Sequence, residues 1–135
     1  MATKVLDSWA LIAFLEDEPA ADAVEKLLAQ ASAEKHKLLL SVVNWGEIYY
    51  NTMRQVSQEA AEQQARALAT LPIDIVGVGD DLALARQAAI YKATHRMSYA
   101  DCFGAALAKM RNVEFVTGDP EFKEVEKEIK VVWLK

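Results

Sequence analysis

Cysteine, histidine, proline and glycine are all scarce in this 135-residue chain, and so is excess positive charge. The lone Cys102 excludes an internal disulfide and fits a reducing cytoplasm, where the chain is expected to reside. With only His36 and His95 as histidines, there is no Cys/His set of the kind that holds zinc. Three prolines and five glycines do not supply a flexible linker, and there is no low-complexity tract or internal repeat. Residues 1–135 are therefore expected to form a single domain. No apolar run approaches the roughly 18 residues of a membrane span, so no membrane partner is expected. Met1-Ala2-Thr3-Lys4 leads straight into a strand-like element, and no leader peptide is expected. A net charge of −5 excludes nonspecific nucleic-acid binding through a basic surface. It leaves room for chemistry on nucleic acid in which bound cations meet the phosphates.

What is present is core-forming material, 53% hydrophobic against 26% charged, arranged as strands alternating with helices. Lys4 to Leu6, Leu38 to Leu40, Ile73 to Val76, Val113 to Val116 and Lys130 to Leu134 read as five strands. Between them lie helical patterns over Trp9 to Leu15, Ala20 to Ala31, Val42 to Met53, Ser57 to Leu71, Leu82 to Thr94 and Phe103 to Met110, with a further helix start at Pro120. Glu16-Asp17-Glu18-Pro19 breaks the first helix, and Asp80-Asp81 lead the fifth. This alternation predicts an α/β sandwich with a mostly parallel sheet.

Four acids stand at the joints of that pattern. Asp7 ends the first strand and Asp119 follows the fourth, while Glu47 and Asp101 fall in the opening turns of helices. Parallel strands end at one edge of the sheet and their crossover helices begin there, so the fold itself brings the four together. Converging carboxylates repel one another and hold protons unless a cation compensates. A set of hard oxygen donors suits Mg²⁺ or Mn²⁺.

Each acid also has a plainer reading. Asp7 caps a helix, Asp101 completes a Ser98 capping box, and Asp119 before Pro120 is a good N-cap. Glu47 has no such role, because it stands among Trp45, Ile48 and Tyr49 on a largely apolar helix. The joint placement favours a shared site.

The chain resembles the PIN-domain ribonucleases, most closely the small VapC-type toxins of toxin–antitoxin pairs. The likeness runs through Val5-Leu6-Asp7-Ser8, Ser41-Val42-Val43-Asn44-Trp45-Gly46-Glu47-Ile48, Ser98-Tyr99-Ala100-Asp101-Cys102-Phe103-Gly104-Ala105-Ala106-Leu107-Ala108 and Val116-Thr117-Gly118-Asp119-Pro120-Glu121-Phe122, in this order and at these intervals. It implies a PIN-like three-layer sandwich, a mostly parallel five-stranded sheet flanked by helices. The family's acids fall on Asp7, Glu47, Asp101 and Asp119 and its hydroxyl on Thr117, while Asn44 matches a frequent polar position one turn before the glutamate. Glu121 stands where many relatives have aspartate, and its part in the metal site is left open.

The resemblance implies an Mg²⁺- or Mn²⁺-dependent endoribonuclease in which metal-activated water hydrolyses RNA phosphodiesters. Asp7, Asp101 and Asp119 would hold the metal, with Glu47 joining directly or through water. It also implies a cognate antitoxin covering the acidic site and a homodimer. The alternatives are a PIN nuclease of RNA maturation or decay without an antitoxin, and a PIN-like module that binds without cleaving. Ser8, Asn44 and Thr117 are candidates to orient water or bind substrate. Lys4, Lys92, His95 and Arg96 are candidate phosphate docks, Arg96 the best placed, against the simpler reading of each as a solvated charge. Trp9, Trp45 and Trp133 read as core or interface anchors, Cys102 as an inert buried thiol, and the two histidines as surface residues.

Overall fold

Val5 and Leu6 lie at the centre of a five-stranded sheet, in a computed structural model that describes residues 2–135. Strand β1 (Ala2–Leu6) is flanked by β2 (His36–Ser41) and, on its other side, by β4 (Glu114–Thr117). β3 (Ile73–Val76) lies outside β2, and β5 (Lys130–Trp133) lies outside β4. Every pairing is parallel, so the sheet is more uniform than the mostly parallel one expected.

The three inner strands are apolar at successive positions because both faces are covered. Val5, Leu39 and Phe115 point to one face. There they meet α5 (Ala83–Thr94) and α6 (Tyr99–Arg111) through residues such as Leu84, Tyr91, Phe103 and Leu107. Leu6, Leu38, Leu40 and Val116 point to the other face. They pack on α1 (Ser8–Leu15), α2 (Ala21–Ser32), α3 (Val42–Gln55) and α4 (Gln58–Ala69) through Leu11, Val24, Leu28, Ile48 and Leu68. The result is the expected helix–sheet–helix sandwich. No helix among the described residues is long and apolar enough to cross a membrane.

One predicted element takes a different form. The segment after Asp119 is a 3-10 helix, Pro120–Val125, where an α-helical start was expected. Its buried side chains are Phe122 and Val125, three residues apart, a spacing that the tighter three-residue turn places on one face.

The topology decides where ligands have access. The chain builds β1, β2 and β3 outward on one side, then crosses to build β4 and β5 on the other. The direction therefore reverses between β1 and β4, and a crevice opens at the C-terminal ends of those two strands.

Candidate metal centre

Asp7 is the first residue beyond β1 and is 1% exposed at the reversal point. It does cap α1, because its Oδ1 accepts the Ala10 amide at 3.0 Å, but Oδ2 accepts the Thr117 hydroxyl at 2.7 Å. Thr117 ends β4, and its Oγ1 also accepts the Asp119 amide at 3.0 Å. One hydroxyl thus ties together the acids at the ends of the two central strands.

The helices bring in the others. Ser41 caps α3 through the Val43 amide, which sets the first turn and places Glu47 beyond it, half-buried. Glu47 Oε1 accepts the Ser8 hydroxyl and lies 3.4 Å from the Asn44 amide nitrogen. Ser98 caps α6 by accepting the Asp101 amide at 3.2 Å. The Asp101 carboxyl, 6% exposed, is left for the crevice and hydrogen-bonds Glu121.

Glu121 is the acid that sequence reasoning left undecided. Oxygens of Asp101, Asp119 and Glu121 lie within 4.8 Å of one another, which puts Glu121 in the cluster. The cause is local, since Asp119 Oδ1 accepts the Glu121 amide at 3.0 Å and folds the chain back so that both carboxyls share one side. An Asp-Pro-Glu run after a strand carries that signal, because an aspartate side chain readily bonds the amide two residues on.

These groups feel one another's charge. Burial pushes the Asp7 carboxyl up to about 7 against the lowering by Thr117 and Ala10, and the charges of Asp119 and Glu47 add to the rise. Asp101 is pushed up to about 8 by burial, by its hydrogen bond to Glu121, and by the charges of Glu47, Asp119 and Asp7. A divalent cation among these oxygens would supply the missing positive charge, and the donor set is all hard oxygen. The residues fit such an ion.

The other candidates separate on geometry. Asn44 and Thr117 are fully buried, and their side chains are engaged with the site's own framework. Lys4 lies midway along β1, short of the edge expected for it, where it is level with Glu114 at the start of β4 and forms an ion pair with it. The Lys92 ammonium is committed to the Met97 carbonyl at 2.8 Å. His95, with 17% of its side chain exposed, pairs with Glu128 at 2.9 Å, and His36, also half-buried, meets Gln30 at 2.9 Å. Both histidines, expected at the surface, are half-buried and engaged with a side-chain partner. Of the four docks only Arg96 has an exposed side chain that is engaged in neither an ion pair nor a hydrogen bond among the described residues. Cys102 is buried, as expected, and burial raises its thiol above the usual range.

Trp9 has a role that sequence reasoning did not assign. A Cβ at Gly118 would overlap the Trp9 indole, so the turn between Thr117 and Asp119 passes directly beneath that ring. Gly118→Ala is expected to lower the urea midpoint by the equivalent of about 1–3 kcal/mol through overpacking. Unchanged stability would mean that the indole swings away freely.

A model of the PIN domain matches residues 4–128. No curated protein sequence matches at a significant level. Among solved structures the chain is similar to one in VapBC2 of Rickettsia felis bound to a DNA fragment from its promoter. The two share 13% identity over 98% of this chain and 99% of that one, with a TM-score of 0.73. It is also similar to a chain of DNA-bound VapBC from Salmonella typhimurium, at 16% identity over 98% of each chain and a TM-score of 0.71. A third likeness is to VapC20 of Mycobacterium tuberculosis, a toxin that cleaves the sarcin–ricin loop. Here identity is 18% over 83% of this chain and 86% of that one, with a TM-score of 0.62. At such identities these likenesses show the fold.

Proposed function

Because the chain belongs to the PIN domain family, we propose that it is an Mg²⁺- or Mn²⁺-dependent endoribonuclease, the toxin of a toxin–antitoxin pair, acting in the cytoplasm as a single domain over residues 1–135. The observation that carries this reading is the meeting of Asp101, Asp119 and Glu121, whose oxygens lie within 4.8 Å of one another, at a place where Asp7 and Glu47 are near enough for their charges to act on Asp101.

In this reading Asp7, Asp101 and Asp119 hold the cation, with Glu47 and Glu121 completing the acidic wall. The ion, when bound, supplies Lewis-acid stabilisation of charge on the attacked phosphate and lowers the pKa of water. The chain's own residues do the positioning. Thr117 orients Asp7 through its hydroxyl and Asp119 through the backbone amide, and Ser8 orients Glu47. Arg96, in the loop before α6, is left to meet an RNA phosphate beyond the acids. No side chain needs to act as nucleophile, which agrees with Cys102 being buried with a raised pKa.

The antitoxin we assign as partner would neutralise the site with a basic side chain placed among the carboxylates, and a second copy of the chain completes the assembly. The exposed apolar side chains Tyr50, Met53 and Val56 along the end of α3 suit contacts of either kind.

Incubation of the purified chain with mixed RNA tests the reading. Cleavage is expected with Mg²⁺ or Mn²⁺ and none with EDTA. Cleavage that survives EDTA would reject the metal mechanism. Tight RNA binding without cleavage in either metal would favour a PIN-like binding module instead.

A further inference from the structure

Asn44 lies in the opening turn of α3 and is 0% exposed, so it touches neither substrate nor solvent. Its amide nitrogen donates to the Ala100 carbonyl at 3.1 Å, in the first turn of α6, and approaches Glu47 Oε1 at 3.4 Å. Both neighbours are acceptors. That settles which end of the amide faces them, since the reverse orientation would set oxygen against two oxygens. The amide oxygen is turned away and has no hydrogen-bond partner.

A buried amide oxygen without a donor is destabilising, and an apolar side chain of similar shape would avoid that cost. The surroundings nevertheless make room for it. A Cβ at Gly104 would stand 2.9 Å from Asn44 Oδ1 and 3.1 Å from the Phe115 ring, so the glycine on α6 is the relief that admits the amide. The compensating gain lies at Glu47. Its Oε1 is addressed by the Ser8 hydroxyl from α1 and by the Asn44 amide from α3, which leaves the second carboxylate oxygen uncommitted.

We infer that Asn44 is a positioning residue of the cation site. One amide, bonded at once to Glu47 and to the residue before Asp101, sets the place of the α3 acid relative to the α6 acid. Gly104 is the complementary notch. This inference rests on the metal-nuclease reading above.

The test is a Mn²⁺ titration of the full chain, followed by the electron paramagnetic resonance signal of free Mn²⁺. It is run on the unmodified chain, Asn44→Leu and Asn44→Ala, and on each again with Glu47→Gln, with urea unfolding measured alongside. Asn44→Leu is expected to weaken Mn²⁺ binding about 10- to 100-fold, the range for loss of a residue that orients a metal ligand, with stability held or raised. Asn44→Ala should lose the same affinity while unfolding at lower urea, which separates positioning from packing. In the Glu47→Gln background the loss should vanish, because the residue acts through Glu47. Unchanged affinity in Asn44→Leu overturns the inference, as does a loss that persists in full beside Glu47→Gln. Should the leucine variant not fold, Asn44→Ala decides by the same criteria. If the unmodified chain binds no Mn²⁺, the metal reading itself fails and this inference with it. Binding by the unmodified chain that is indifferent to Asn44 removes this inference alone.

Discussion

Asp101→Asn is expected to lower metal-dependent RNA cleavage by at least ~10³-fold, equivalent to about 4 kcal/mol of transition-state stabilisation, while the protein stays folded. The two halves of this expectation come from different atoms of one residue. The backbone amide of Asp101 serves the fold, because Ser98 caps α6 through it, and asparagine keeps that amide. The carboxyl serves the site. It is buried, faces the charges of Glu47, Asp119 and Asp7, and shares a hydrogen bond with Glu121. A neutral amide of the same shape removes a metal ligand and relieves the repulsion, so melting in EDTA should occur at the same or a higher temperature. Asp7→Asn and Asp119→Asn should behave alike in cleavage assays, and full activity in all three variants would sink the shared site. Loss of activity accompanied by loss of cooperative unfolding would assign Asp101 to the fold instead.

The metal-free protein is expected to lose stability as pH rises from about 5.5 to 8, the reverse of ordinary acid denaturation. Asp7 ionises near 3.8 in the unfolded chain and near 7 in the fold. Between those values the folded state binds more protons than the unfolded state, so unfolding becomes easier with each step up in pH. Below the lower value both states are protonated, and above the upper value both are ionised and the loss is complete. At about 1.4 kcal/mol for each tenfold difference in proton affinity between fold and unfolded chain, Asp7 alone accounts for about 4 kcal/mol across its full window, and roughly half of that falls between pH 5.5 and 8. Asp101 shifts in the same direction and adds to it. Urea unfolding at the two pH values, with and without Mn²⁺, measures the effect. Mn²⁺ should restore stability at pH 8 and do little at pH 5.5. Asp7→Asn should lessen the slope of the profile and leave the part due to Asp101, because asparagine has no charge to desolvate and the Thr117 hydroxyl can accept from its amide. A metal-free chain as stable at pH 8 as at pH 5.5 would show that Asp7 is solvated when charged.

The strand and helix periods, and with them the sheet and most of its flanking helices, are open to reading because the local rules agree with the burial that follows. Leu38-Leu39-Leu40 is apolar without alternation because the sheet is covered on both faces. The acids can be picked out because strand ends and helix caps have a strong local chemistry. Ser98 and Asp119 cap as their sequence context suggests.

The partners that the sequence does not foretell share a cause. Lys4 is only three residues from Asp7 in the chain, but a strand rises about 3.3 Å per residue, and that is enough to leave it midway along β1, short of the edge, beside Glu114. Asn44, Thr117 and His95 look locally like groups available to a ligand, whereas each is turned onto a distant neighbour along the chain: Ala100, Asp7 and Glu128. Nothing local foretells such partners.

Which residues are acidic, which run becomes a strand and which turn caps a helix are properties of short segments, set by side-chain period and backbone hydrogen bonding, and they can be read without coordinates. Which carboxyls meet, which of them are stripped of water and which oxygens stay free were settled by the parallel order of five strands. That order brings Asp7 to Thr117 and Asn44 to Ala100 across long stretches of chain. Charge repulsion and desolvation act through space, so they take their values only once the sheet has closed around them.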